Sequence, residues 1–187
     1  MQRYPLILAS KSPRRQELLA AMNLEFQVVL KDVDESYSKK LEPAQIAVFI
    51  AEKKALAFVK ERVHSLVITA DTIVAFNGEI LGKPSGPVEA REMLTKLSGG
   101  KHDVYTGVTL AHGGKMISFY DVTEVYFKHI TAEQIDYYIK HYNPYDKAGS
   151  YGIQDWIGLV AVEKIVGSYT NVMGMPTEKL YTAISNF

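Results

Sequence analysis

The chain contains no cysteine. Disulfides, thiol nucleophiles and thiolate zinc sites are therefore excluded. It also has no net charge, because 21 Lys and Arg balance 21 Asp and Glu. A general nucleic-acid binder shows a basic excess, so that class is disfavoured. No apolar run reaches membrane-spanning length, and no basic-then-apolar leader opens the sequence. The expectation is a cytoplasmic protein with neither a membrane nor a nucleic-acid partner. The 5 histidines show no metal-ligand spacing. No Ser-His-Asp order, internal repeat or low-complexity tract is apparent. What remains is an ordinary globular composition, 47% hydrophobic and 22% charged over 187 residues. That length suits one domain, or one domain with two lobes. Residues 1–187 are read as a single domain.

The most informative stretch is Leu6-Ile7-Leu8-Ala9-Ser10-Lys11-Ser12-Pro13-Arg14-Arg15-Gln16-Glu17-Leu18-Leu19. An apolar run that reads as a buried strand meets two serines, a proline and two arginines. Pro13 suits the first helical position and Ser12 the N-cap before it. Free backbone N–H groups, hydroxyls and guanidinium groups would then gather at one helix start, an arrangement suited to phosphate. It is not a Walker A loop, since the glycines and the Gly-Lys-Ser/Thr ending are absent.

Periodicity predicts strands over 5–9, 25–30 and 66–70, and helices over 13–22 and from Pro43 to about Arg62. Along the second helix the apolar residues Ile46, Ala47, Phe49, Ile50, Ala55, Leu56 and Val59 recur at helical spacing. Asp71 should lie near the carboxyl end of its strand. Asn77-Gly78 signals a hairpin, and 82–87 a loop. A helix is expected over 88–97, and two antiparallel strands over 103–111 and 116–128. Further helices are expected over 131–141 and the last ten residues. Residues 144–158 read as an irregular loop and Leu159-Val160-Ala161-Val162 as a strand. Together these imply an α/β fold with a mixed twisted sheet and flanking helices, split into two lobes around a cleft.

Polar groups that fall in predicted loops or at strand ends include Ser10, Ser12, Arg14, Arg15, Glu35, Lys54, Asp71, Thr72, Lys83, Lys147 and Gln154. Cations with a few carboxylates suit phosphoryl chemistry, in which Arg and Lys neutralise phosphate oxygens and carboxylates hold a divalent ion or activate water. Each group also has a plainer reading. The arginines and Lys54 fit a solvated helix face, Glu35 a solvated loop, and Asp71 a turn cap. Lys147 and Gln154 carry little signal alone. The tyrosines at 137, 138, 142 and 145 suit core or interface better than a base-stacking platform.

Taken in order, these segments carry a resemblance. Ser10-Lys11-Ser12-Pro13-Arg14-Arg15-Gln16-Glu17, Asp32-Val33-Asp34-Glu35, Glu52-Lys53-Lys54-Ala55, Ala70-Asp71-Thr72-Ile73-Val74, Leu81-Gly82-Lys83-Pro84, Ala148-Gly149-Ser150-Tyr151-Gly152-Ile153-Gln154 and Gly167-Ser168-Tyr169 are similar to the Maf family of nucleotide pyrophosphatases, often labelled septum formation inhibitors. The resemblance runs nearly end to end. It implies a fold like that of the inosine-triphosphate pyrophosphatases, a homodimer, and metal-dependent hydrolysis of a nucleoside triphosphate to monophosphate and pyrophosphate. The loop ending in Gln154 looks like that of the branch acting on dTTP and UTP. By that resemblance Asp71 is the general base or a metal ligand that prepares water for attack, and Glu35 helps to hold Mg or Mn. Ser10, Arg15, Lys54 and Lys83 meet the triphosphate, and Arg14, Thr72 and Gln154 govern substrate choice. A regulator of septum formation with incidental hydrolysis uses the same residues. One departure stands out: the family usually follows this glutamine with glycine, and here Asp155-Trp156 follows.

Overall fold

The computed structural model describes residues 3–61 and 64–187. Seven strands form one mixed sheet. They are β1 (Leu6–Leu8), β2 (Phe26–Val28), β3 (Leu66–Phe76), β4 (Glu79–Leu81), β5 (Lys101–His112), β6 (Lys115–Phe127) and β7 (Val162–Val166). The order is β2-β1-β3-β5-β6-β7, with β4 paired to β3. β1 is parallel to both β2 and β3, while β3–β4 and β6–β7 are antiparallel. The flanking helices are α1 (Pro13–Ala21), α2 (Pro43–Leu56), α3 (Pro87–Leu97), α4 (Ala132–Tyr142), α5 (Trp156–Ala161), α6 (Tyr169–Val172) and α7 (Thr177–Ser185). The expected mixed sheet with flanking helices is what the chain forms.

The chain divides into two compact units. One comprises Met1–Thr72, Thr106–Asp121 and Gly174–Phe187, the other Ile73–Tyr105 and Val122–Met173. The first holds a core of Leu6, Leu8, Leu19, Leu66, Ile68, Val108, Leu110, Met175 and Leu180. β1 is buried along its whole length, as a parallel strand covered on both faces must be. The second holds Leu81, Met93, Leu94, Leu97, Val104, Val125, Tyr138, Ile153 and Ile157.

Local chemistry explains most boundaries. Ser12 caps α1, accepting the Arg15 N–H, with Pro13 in the first turn. Glu42 and Gln45 form a capping box at α2, and Thr131 and Gln134 form another at α4. Asn77 and Gly78 take φ of 49° and 81°, the two positive values that a primed hairpin turn requires.

Four expectations need correction. β3 does not stop near Asp71 but continues to Phe76, because Ile73-Val74-Ala75-Phe76 extend the buried β-branched run. Residues 159–161 are the end of α5, and the strand begins only at Val162. Two 3₁₀ turns, Pro144–Asp146 and Ala148–Ser150, and the start of α5 occupy the expected irregular loop. In addition, α2 ends at Leu56, with Phe49 and Leu56 exposed; its expected limit, Arg62, lies outside the described residues.

Candidate active site

In the first unit, the segment between β1 and α1 is tied down by Arg15. The Ser10 hydroxyl accepts the Ser12 N–H at 3.2 Å and Arg15 Nη1 at 3.2 Å. Arg15 also donates from Nη1 to the Ala70 carbonyl at 2.8 Å, from Nε to the Gly174 carbonyl at 2.8 Å and from Nη2 to Thr72 Oγ1 at 3.0 Å. Thr72 Oγ1 meets Thr106 Oγ1 at 2.9 Å. Arg15 is buried, and burial lowers its pKa, opposed by the attraction of Asp71. The guanidinium remains charged at any working pH. With most of its donors committed to the protein, Arg15 joins the start of α1 to two positions of β3 and to residue 174. Arg14, half-buried beside it, opens the same helix.

Asp71 and Thr72 are neighbours on β3 and therefore face opposite ways. Thr72 meets Arg15. Thr69 and Asp71, two apart, both meet α2: Thr69 Oγ1 donates to the Ala51 carbonyl at 2.7 Å, and Lys54 Nζ donates to Asp71 Oδ1 at 2.8 Å. Ala51 and Lys54 are three apart, so they share a helix face. Lys54 Nζ also lies 2.9 Å from Glu35 Oε1. One ammonium thus gathers two carboxylates from distant parts of the chain. The side chains of Lys54 and Asp71 are 17% and 14% exposed, while Glu35 is 49% exposed. Three of the candidate residues, Glu35, Lys54 and Asp71, are therefore brought together, with Asp71 in mid-strand.

That pairing fits a magnesium-type site. Mg²⁺ is usually held by one or two carboxylates, waters and the substrate's own phosphate oxygens rather than by an all-protein cage. Two carboxylates gathered about one cation meet that description. Among the described residues no group of three or more His, Cys, Asp or Glu is arranged to hold a metal.

The second unit contains the other candidates. Lys83 is exposed in the loop after β4, and the preceding Gly82 carbonyl accepts the Gly149 N–H at 3.1 Å. The Lys83 loop is thereby joined to the segment leading to Gln154. Gln154 is half-buried, and its Oε1 is buried without a hydrogen-bond partner among the described residues. Ser150, fully buried, has a φ of 61° and likewise an unpartnered Oγ. A non-glycine residue held there costs about 1–3 kcal/mol. Lys147 pairs with Asp146 at 2.8 Å and lies 3.8 Å from Asp155.

Sequence reasoning missed His102. Its Nε2 is 2.7 Å from the Tyr151 hydroxyl, and its ring meets Phe127 and Tyr151 edge-on at 5.0 and 5.3 Å. Lone histidines on strands give no signal, because only the fold brings Tyr151 to them. Burial lowers the His102 pKa to about 4, against roughly 6.5 in an unfolded chain. The folded state therefore binds fewer protons. Stability from the neutral ring is complete above pH ~6.5 and is lost as pH falls through about 4. Denaturant titrations between pH 7 and pH 4 should show a steeper decline for the native chain than for His102→Gln.

A family model described as Maf-like protein matches residues 5–187. The chain belongs to the Maf family. Among its relatives, the dTTP/UTP pyrophosphatase of Phocaeicola vulgatus is 49% identical over 98% of this chain and 96% of its own. That of Bacteroides fragilis is 50% identical over 97% and 95%. The HAM1 protein from Coxiella burnetii, 14% identical, superposes with a TM-score of 0.54 over 98% of this chain and 100% of its own, which shows a shared fold. No described helix of this Maf-like protein is long and apolar enough to cross a membrane.

Proposed function

We propose that this Maf-like protein hydrolyses dTTP and UTP to the nucleoside monophosphate and pyrophosphate. Relatives named dTTP/UTP pyrophosphatase, matched over nearly the full length of both chains, support the substrate. The gathering of Asp71 and Glu35 around Lys54 is the observation that carries the chemistry.

Asp71 takes a proton from water as the water oxygen bonds to the α-phosphorus. The bond from the α-phosphorus to the bridging oxygen breaks, and its electron pair leaves with pyrophosphate. Lys54 orients the Asp71 carboxylate before the attack. Glu35 and Asp71 would hold Mg or Mn, whose charge, when bound, neutralises phosphate oxygens. Ser10, Lys54, Lys83 and the remaining donor capacity of Arg15 bind the triphosphate. Arg14, Thr72 and Gln154 govern substrate choice. Uracil and thymine present a carbonyl acceptor beside an N–H donor, and an amide offers the complement. The unpartnered Gln154 Oε1 suits the N–H. Cytosine reverses that pattern and would leave the buried oxygen unpaired, a large penalty. A homodimer and a cytoplasmic location belong to the same reading.

The test is a nucleotide panel of dTTP, UTP, CTP, dGTP and 7-methyl-GTP with Mg or Mn, the products resolved by chromatography. Selective conversion of dTTP and UTP is expected. Binding with no release of pyrophosphate under either metal would overturn hydrolysis in favour of a binding regulator. Gln154→Ala should lower the UTP-to-CTP ratio of kcat/KM by about tenfold or more, with less effect on kcat for UTP. An unchanged ratio would remove Gln154 from base reading.

A further inference from the structure

We propose that Asp155 is a positioning residue: through a clamp on α4 it holds Gln154 in the orientation that discriminates bases. The inference rests on the assignment of Gln154 to base reading. The Tyr138 hydroxyl donates to Asp155 Oδ2 at 2.7 Å and accepts the Gly152 N–H at 3.0 Å. One buried hydroxyl on α4 thus ties down both sides of Ile153-Gln154. The next residue repeats the contact, since the Trp156 ring lies 4.9 Å from that of Tyr137, Tyr138's neighbour on α4. Asp155 and Gly152 fit as a pair: a Cβ built on Gly152 would stand 2.6 Å from Asp155 Oδ2, so the carboxylate occupies the space of the missing side chain. Lys147, 3.8 Å from the same oxygen, places a positive charge beside it. Burial first, and then the bond to Asp155, raise the Tyr138 pKa, so the hydroxyl keeps its proton and remains a donor.

The clamp matters because Gln154 Oε1 has no hydrogen bond of its own among the described residues. Among the described residues no donor aims that oxygen. The position of its side chain depends on the backbone on either side, which is what Tyr138, Asp155 and Trp156 hold. A preorganised acceptor binds its ligand without the cost of ordering the loop. Loosening the clamp should therefore weaken the base that Gln154 reads and leave the base it rejects little changed.

Trp156 is the sole tryptophan, so its fluorescence reports the clamp directly. The probes are the hydrolysis-resistant α,β-methylene analogues of UTP and CTP, titrated against the native chain, Tyr138→Phe, Asp155→Ala and Asp155→Asn. The native chain should prefer the UTP analogue. In Tyr138→Phe and Asp155→Ala that preference should fall by about tenfold, the effect of one lost hydrogen bond. Asp155→Asn, which still accepts from Tyr138, should retain most of it. With UTP itself the loss should appear in KM more than in kcat. Equal weakening of both analogues, or a preference unchanged in Asp155→Ala, would overturn the clamp's role in specificity. A native chain with no preference would instead overturn base reading by Gln154, and the clamp's role with it. Should Tyr138→Phe fail to fold, the two Asp155 variants decide the matter alone.

Discussion

Asp71→Asn is expected to reduce turnover of dTTP and UTP by about 10²–10⁴-fold, the contribution of a positioned general base. The substitution isolates that role. Asparagine has the same shape, and its carbonyl oxygen still accepts from Lys54 Nζ, which lies 2.8 Å from Asp71 Oδ1. Lys54 also keeps its ion pair with Glu35 at 2.9 Å, so no unpaired cation is left behind. What disappears is the charge and the ability to take a proton. The loss should therefore fall on kcat, with melting temperature and circular dichroism close to those of the native chain. Pyrophosphate release measured at saturating UTP checks this. A rate within tenfold of native would mean that Asp71 is neither the base nor essential to holding one.

Gly107→Ala is expected to lower stability strongly. Gly107 lies within β5, and a Cβ there would sit 2.3, 2.4 and 2.5 Å from Ala47 C, Ala47 O and Val48 N of α2. Those are backbone atoms of a helix whose Ala47 is completely buried, so no side chain can swing aside. Either α2 moves away from the sheet or β5 deforms, and both open a close-packed core. Overpacking of this kind costs about 3 kcal/mol or more, which lowers the melting temperature of a chain this long by roughly 6–12 °C. Because α2 carries Lys54, activity should decline as well. Thermal denaturation of the variant beside Gly78→Ala checks the mechanism. Gly78 has no atom within 4 Å of its built Cβ, so that variant reports only the strain of its left-handed turn. A Gly107→Ala melting temperature as high as that of the native chain would show that the helix yields freely.

Where neighbours in sequence determine the structure, the elements were legible. Ser12-Pro13 marked the start of α1, and Asn77-Gly78 marked the β3–β4 hairpin, because a cap and a primed turn are satisfied within four residues. The candidate cluster was legible only as residue types and as a family resemblance. Glu35, Lys54 and Asp71 each have an ordinary surface reading, and nothing local joins them. α5 was hidden for a similar reason. Leu159-Val160-Ala161 suits a strand by propensity, yet packing of Ile157 and Ala161 into the second core holds it helical.

The sequence by itself determined the caps, the turns, the buried strands, the exclusion of cysteine chemistry and the order of motifs along the chain. Each of these rests on covalent geometry or on contacts a few residues apart. Only the tertiary structure decided that Arg15 spends its donors on residues 10, 70, 72 and 174, that Lys54 joins Glu35 to Asp71, and that Tyr138 grips the loop around Gln154. Such pairings depend on which distant segments pack together, and packing is settled by the whole core rather than by any residue's neighbours.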